Sequence, residues 1–219
     1  MWCIARITAE YRKRMYDLLK LYGRKFNPDR PIICMDEKSK QLLADSRPSY
    51  AAKPGRIFKQ DYEYVRKGSR NIFVAVEPKA GRRITEVTKR RTKQDFARFM
   101  EKLILSYPQA KLLIIVLDNL NTHFANSFFE TFNAVKANRL LKKLEFHYTP
   151  KHASWLNMAE IEIGIFDAQC LGGRRVANEE KLIKEVKALT AYRNHHKKQI
   201  CWTFTKKKAD AKLSKYYVS

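Results

Sequence analysis

Glycine and proline are scarce in this chain of 219 residues, seven of each, which excludes a collagen-like or low-complexity architecture. No apolar run is longer than Leu112–Leu117, far short of the roughly 20 residues needed to cross a bilayer. No apolar stretch of signal-peptide length opens the chain, and charge begins at Arg6. Cysteine is sparse as well. Cys3, Cys34, Cys170 and Cys201 stand apart with no C-x-x-C pair, so neither a zinc site nor a disulfide framework is indicated. The expectation is a soluble protein of a reducing compartment, with no membrane association. Acidic residues are also few, 22 Asp and Glu against 45 Lys and Arg, for a net charge of +23. A compact fold with that much like charge repels itself and points to a polyanionic partner. Nucleic acid leads, although ribosomal association or an acidic protein partner would suit the charge too.

The 45% of hydrophobic residues suffice for a core, and one domain with short appendages is expected. Thr8 can cap a helix to about Gly23, with Tyr11, Met15, Leu18, Leu19 and Tyr22 on one face. Ile32–Met35 reads as a buried strand that stops at Asp36 and Glu37, and Lys38 to Ser69 as an extended connection with little regular structure. Asn71–Val76 and Ile84–Thr88 read as a hairpin about the Gly81 turn. Thr92 and Asp95 form a capping box for a helix whose apolar residues Phe96, Phe99, Met100, Leu103 and Ile104 share one face. Leu112–Leu117 has the continuous apolarity of a strand covered on both faces, and it ends on Asp118. Helical segments from Ala125 to Lys142 follow, then a strand at Leu144–Tyr148 and a helix from Trp155 to about Cys170. A last helix, capped by Asn178 with Glu179 and Glu180 in its first turn, runs to about Asn194. The order predicts an α/β mixed sheet flanked by helices, with one parallel pair built from the first and fourth strands.

Asp36 and Asp118 each terminate an apolar strand. On parallel neighbours both carboxylates would emerge at one edge of the sheet, where open α/β sheets bind ligands. Two such carboxylates must share a proton or bind cations. In a chain this basic, divalent metal is the simpler answer, and carboxylate oxygens with open positions suit Mg²⁺ or Mn²⁺. Two ions per site would support in-line displacement at phosphorus. Glu160 is the best third acid, at the margin of the stripe Trp155, Leu156, Ala159, Ile163 and Phe166. Glu162 lies about 160° around the wheel from it and is expected toward solvent.

The strings ICMDEKSKQLL, DNLNTH and HYTPKHASWLNMAEIEIGIF resemble the catalytic core of the DDE transposases. They are most similar to the bacterial insertion-sequence branch, the IS-six-thirty family, of the Tc/mariner superfamily, with matching runs from about Trp2 to the Phe204 region. The resemblance implies a ribonuclease-H-like fold in which Asp36, Asp118 and Glu160 are the three metal-binding catalytic acids. It implies metal-dependent cleavage and strand transfer of double-stranded DNA at transposon ends, insertion at TA dinucleotides, a homodimer in the DNA complex, and a place in the bacterial nucleoid. Asn119 and His123 match its D-N-x-x-x-H signature. His123 would contact phosphate or orient a water, the alternative being a buried His satisfied by a loop carbonyl. Trp155, as core, and Asn157 would support the helix of Glu160, while Glu37 is structural. Lys38, Lys40, Lys151, His152, Arg174 and Arg175 are the candidate phosphate contacts.

Members of that family carry a helix-turn-helix region before the core. Only 35 residues precede Asp36, so the chain is expected to be a downstream frame, a truncated copy or a fragment, with end recognition supplied by an upstream frame or a separate protein. The expected organisation is a basic helical arm over 1–30, the catalytic domain over 31–170 and a basic C-terminal helical extension over 171–219. The rival expectations are a non-catalytic fragment that binds DNA or dimerises with full-length transposase, and a ribonuclease H or Holliday-junction nuclease on the same fold.

Overall fold

The computed structural model describes residues 7–120 and 123–218. The expectations that touch Trp2, Cys3, Arg6, and the Asn121 and Thr122 of the DNLNTH string lie outside the described residues.

Five strands form one mixed sheet in the order β3-β2-β1-β4-β5. They are β1 (Ile32–Asp45), β2 (Tyr64–Glu77), β3 (Arg82–Thr88), β4 (Leu113–Leu117) and β5 (Leu144–Tyr148). β1 pairs antiparallel with β2, and β2 with β3, whereas β1–β4 and β4–β5 are both parallel. The sheet thus holds two parallel pairs rather than the one expected. A right-handed return through helices delivers β5 beside β4 as readily as β4 beside β1.

β1 does not stop at Asp36. It runs on to Asp45, and β2 begins at Tyr64, so much of the segment expected to be irregular is ladder. Lys38–Asp45 pair with β2 except at the bulge, where the Leu43 amide donates to the Val176 carbonyl, and Leu42 is buried against the C-terminal helices. A bulge between Gln41 and Leu43 is accommodated near Gly68, whose φ of 85° favours glycine.

Alternation along the strands gives the sheet two apolar faces. Ile33, Met35, Phe73, Ile115 and Leu117 pack against α2 (Lys93–Ser106), α3 (Asn126–Phe129) and α4 (Ala134–Leu141). Cys34, Val76, Ile114 and Val116 pack against α1 (Ala9–Tyr22) and the start of α5 (Ala159–Phe166). Farther along the same face, Ile72 and Val74 meet Ile163 and Phe166 of α5 and Leu182 and Val186 of α6 (Glu179–His195).

The caps read from sequence are present. Thr8 accepts from the Tyr11 amide, Asn178 from Lys181, and Thr92 and Asp95 cap each other reciprocally. The helix expected from Trp155 to Cys170 is broken into a 3₁₀ turn at Ser154–Leu156, α5, and a π turn at Asp167–Leu171. A further helix, α7 (Lys206–Leu213), capped by Thr205, packs on α1. No helix among the described residues is long and apolar enough to cross a membrane.

Candidate active site

The parallel β1–β4 register pairs Ile32 with Ile114 and Cys34 with Val116. The same offset carried two residues past the last pair sets Asp36 beside Asp118. Neighbouring strands lie about 4.8 Å apart, so the two side chains leave the sheet as adjacent carboxylates on the α1/α5 face. α5 starts over that face, and Glu160, half-buried, sits in its first turn.

Burial, together with the charges of Glu160, Asp118 and Glu37, raises the Asp36 pKa to about 7, against a lowering from the Glu37 amide. That amide donates to Asp36 Oδ1 at 2.8 Å. Asn157, buried to 1% exposure, donates from Nδ2 to the Met35 carbonyl at 2.9 Å and to Asp36 Oδ2 at 3.2 Å. Its Oδ1 accepts from the Ala159 amide at 3.1 Å, the first residue of α5. One side chain therefore ties the first acid to the helix that bears the third. The expectation had Asn157 supporting the helix alone; its reach to Asp36 could have been sought in the short spacing from Asn157 to Glu160.

His123 is fully buried and stacks on Phe96 at 4.8 Å. Its Nδ1 lies 2.7 Å from Asp118 Oδ1 and 3.2 Å from the Asp118 carbonyl, and its Nε2 lies 2.8 Å from Glu37 Oε1. Burial alone would lower the imidazole pKa, but hydrogen bonds and charge from Asp118 and Glu37 outweigh it and raise the value to about 9. Both ring nitrogens thus face protein oxygens, those of Asp118 and of Glu37. Glu37 points to the opposite face from Asp36, as strand alternation requires, and buries its carboxylate against His123.

Other expected contacts are committed elsewhere. Lys38 pairs with Asp167 at 2.5 Å, and Lys40 donates to the Leu171 carbonyl at 2.5 Å. Arg174 forms a two-pronged pair with Glu185, at 3.0 and 2.9 Å. Arg175 binds Asp45 at 2.8 Å and the carbonyls of Asp61, Tyr62 and Glu63. Lys38, Lys40 and Arg175 thus fasten the C-terminal segment to the β1–β2 ribbon, while Arg174 pairs within that segment. Lys151, His152 and Asn119 are exposed, His152 with φ 61°.

Two orientations are reversed. Trp155 is 44% exposed, its ring 5.4 Å from Phe204, because the 3₁₀ turn rotates it off the stripe that Leu156 and Ala159 continue. Glu162 is fully buried, not solvent-facing. It accepts from Arg83 at 3.0 Å and from both Nε and Nη2 of Arg193. β3 and α6 bring those two cations to a helix face that the wheel alone marks as polar.

The three acids share a rim without closing into a cage. Among the described residues no group of three His, Cys, Asp or Glu side chains is gathered tightly enough to hold a metal ion. In kind the donors fit a hard divalent cation: carboxylate oxygens only, with one carboxyl pushed up by burial and, to a lesser degree, by its like-charged neighbours. A cavity of about 270 Å³ lined by Tyr22, Ile32, Glu77, Pro78 and Met158 opens near the start of β1, at the other end of the sheet. The acids themselves lie on an open edge.

A family model for the DDE superfamily endonuclease matches residues 31–183, which span all three acids. The chain belongs to the DDE superfamily of endonucleases. Among solved structures, the Mos1 mariner paired-end complex with Mn is similar at 17% identity and a TM-score of 0.58, over 90% of this chain and 62% of that one. The Mos1 strand transfer complex is similar at 18% identity and a TM-score of 0.56, over 90% and 60%. The chain thus spans about three-fifths of the length of these structures, and the likeness shows the ribonuclease-H-like fold. No curated protein sequence matches the chain.

Proposed function

We propose that this DDE endonuclease domain is the catalytic part of a cut-and-paste transposase of the bacterial IS-six-thirty type, acting on double-stranded DNA. Its substrates would be transposon ends and a TA-containing target, handled in a homodimer, with end recognition supplied by a helix-turn-helix region upstream or on a separate protein. In this reading residues 31–170 form the catalytic domain between a basic arm over 1–30 and a basic extension over 171–219. Strand cleavage breaks a P–O3′ bond with water as nucleophile. Strand transfer forms a new P–O3′ bond from the freed 3′ hydroxyl while a P–O3′ bond of the target strand breaks and its 3′ oxygen leaves with a proton.

The single observation that carries the reading is the common register of Asp36 and Asp118 beneath the first turn of α5 with Glu160. Asp36, Asp118 and Glu160 would hold two Mg²⁺ ions, with Mn²⁺ as substitute; when bound, such ions supply Lewis acidity for in-line displacement at phosphorus. The chain's own groups set the stage. The Glu37 amide and Asn157 fix both oxygens of Asp36. His123, held by Glu37, fixes Asp118 from behind. A phosphodiester laid on this edge meets carboxylates whose directions are already set.

The open arrangement of the three acids favours a second reading, a fragment that binds DNA or dimerises with a full-length transposase without turnover. A plasmid-nicking assay with Mn²⁺ separates the two. The catalytic reading expects nicking that Asp118→Asn abolishes. The fragment reading expects DNA retention with no nicking by either protein.

A further inference from the structure

We infer that Arg66, Lys67, Lys89, Arg90 and Arg91 form a track for the phosphate backbone of duplex DNA at the acid-bearing end of the sheet. The inference rests on the DNA-processing reading above and names where the duplex lies.

Lys38, Lys40, Arg70, Lys93, Lys102, Arg174 and Arg175 are spent on partners within the chain. Arg66, Lys67, Lys89, Arg90 and Arg91 are exposed, and none of them takes part in an ion pair among the described residues. Most of the acids around them are already engaged, Glu63 excepted. Arg175 holds Asp45, Arg47 holds Asp61, Lys102 holds Glu86, Arg70 holds Glu179, and Asp95 is consumed in the α2 capping box. The five cations therefore outnumber the unpaired acid beside them and project a net positive field.

Topology brings them together. β2 and β3 pair up to Asn71 and Thr88, and the same register carried onward sets Lys89 beside Arg70 and Arg90 beside Ser69. β3 ends there while β2 continues toward Tyr64, so the outer edge of β2 that carries Lys67 and Arg66 is left next to the 89–91 loop. The loop has a defined shape. Thr88 Oγ1 donates to the Arg90 carbonyl at 2.6 Å, and the Thr92 cap anchors its far end.

The track also has the right relation to the chemistry. Asp36 pairs with Val74 in the ladder. At about 3.4 Å per residue, Arg70 lies about 14 Å and Arg66 about 27 Å along β2 from that row. Both are within one helical turn of duplex, about 34 Å. A duplex whose scissile phosphate sits at the acids thus reaches the track with its adjoining backbone.

The test compares Arg90→Ala/Arg91→Ala with Arg24→Ala/Lys25→Ala, an equal loss of exposed charge near the far end of the sheet. Affinity for a short duplex of mixed sequence is measured across salt, with thermal melting of each variant to show that the fold is intact. Each phosphate contact contributes about 0.9 to the log–log salt slope, so the first pair should flatten it by about 1.8. Between roughly 50 and 200 mM salt that shrinks the affinity ratio about twelvefold. The far pair should keep the unsubstituted slope. Equal flattening by both pairs, or none by Arg90→Ala/Arg91→Ala, overturns the track while leaving the DNA reading in place. Absence of duplex binding by the unsubstituted chain overturns the DNA reading itself.

Discussion

Replacing Glu162 by Gln removes the one anion that, among the described residues, pairs with two buried guanidinium groups. Arg83 and Glu162 have fully buried side chains, and that of Arg193 is 9% exposed. The carboxylate takes one hydrogen bond from Arg83 Nη2 and two from Arg193, and Arg83 Nε and Nη1 have no hydrogen-bond partner among the described residues. Breaking a buried ion pair by deleting one partner costs about 3–5 kcal/mol, since the remaining charge stays desolvated. Two cations are stranded here, which places Glu162→Gln at the upper end of that range. For a chain of this length about 1 kcal/mol moves Tm by about 2–4 °C, so a fall of about 10–20 °C is expected. Calorimetry or a circular-dichroism melt reads it. Chemical denaturation should show a lower midpoint at an unchanged m value. The apolar triple variant Arg83→Met/Glu162→Leu/Arg193→Met should recover much of the loss. A Glu162→Gln variant within about 1 kcal/mol of the parent would refute the reasoning, because it would mean that water reaches the triad.

Asn157→Ala should lower the nicking rate about 10–100-fold while DNA affinity holds, since it frees Asp36 without touching phosphate; equal losses in rate and affinity would contradict this. Gly81→Ala should cost at least about 1–2 kcal/mol in a denaturation series, because φ is 66° and a Cβ would lie 2.5 Å from the Lys197 carbonyl carbon and oxygen. Maleimide should label Cys201 in the native state and spare Cys34 and Cys170. Both spared thiols are buried, and burial pushes the Cys34 thiol up to about 12. Peptide mapping checks that order of reactivity. Phe166→Ala, at 1% exposure, should cost about 3–5 kcal/mol, whereas Trp155→Ala, at 44%, should cost far less.

The parts legible in sequence are those whose cause is local. The continuous apolar run of β4, the capping box of α2 and the Asn178 cap of α6 need no distant partner to be read. Asp36 and Asp118 stood out for the same reason, as an abrupt change from apolar to acidic, although β1 continues past Asp36. What hid was tertiary. The polar second half of β1 has no alternation to betray it, and becomes strand because β2 supplies hydrogen bonds and the Arg175 anchor holds the ribbon. α5 inverts its wheel, with Ile161 at 43% exposure and Glu162 fully buried, because the two neutralising arginines come from positions 79 residues before and 31 after. His123 likewise depended on Glu37, 86 residues away, whose carboxylate captures the ring. A charge count alone could not tell a lysine already spent on a carbonyl from one left free for phosphate.

Crystals soaked in Mn²⁺ and measured at the manganese absorption edge would test most directly whether the rim of the sheet is a metal centre. Anomalous peaks are expected beside β1 and β4, with oxygens of Asp36 and Asp118 about 2.1 Å from a shared ion and Glu160 drawn in from α5. Peaks found only elsewhere, or carboxylates that stay apart with no cation between them, would contradict the assignment.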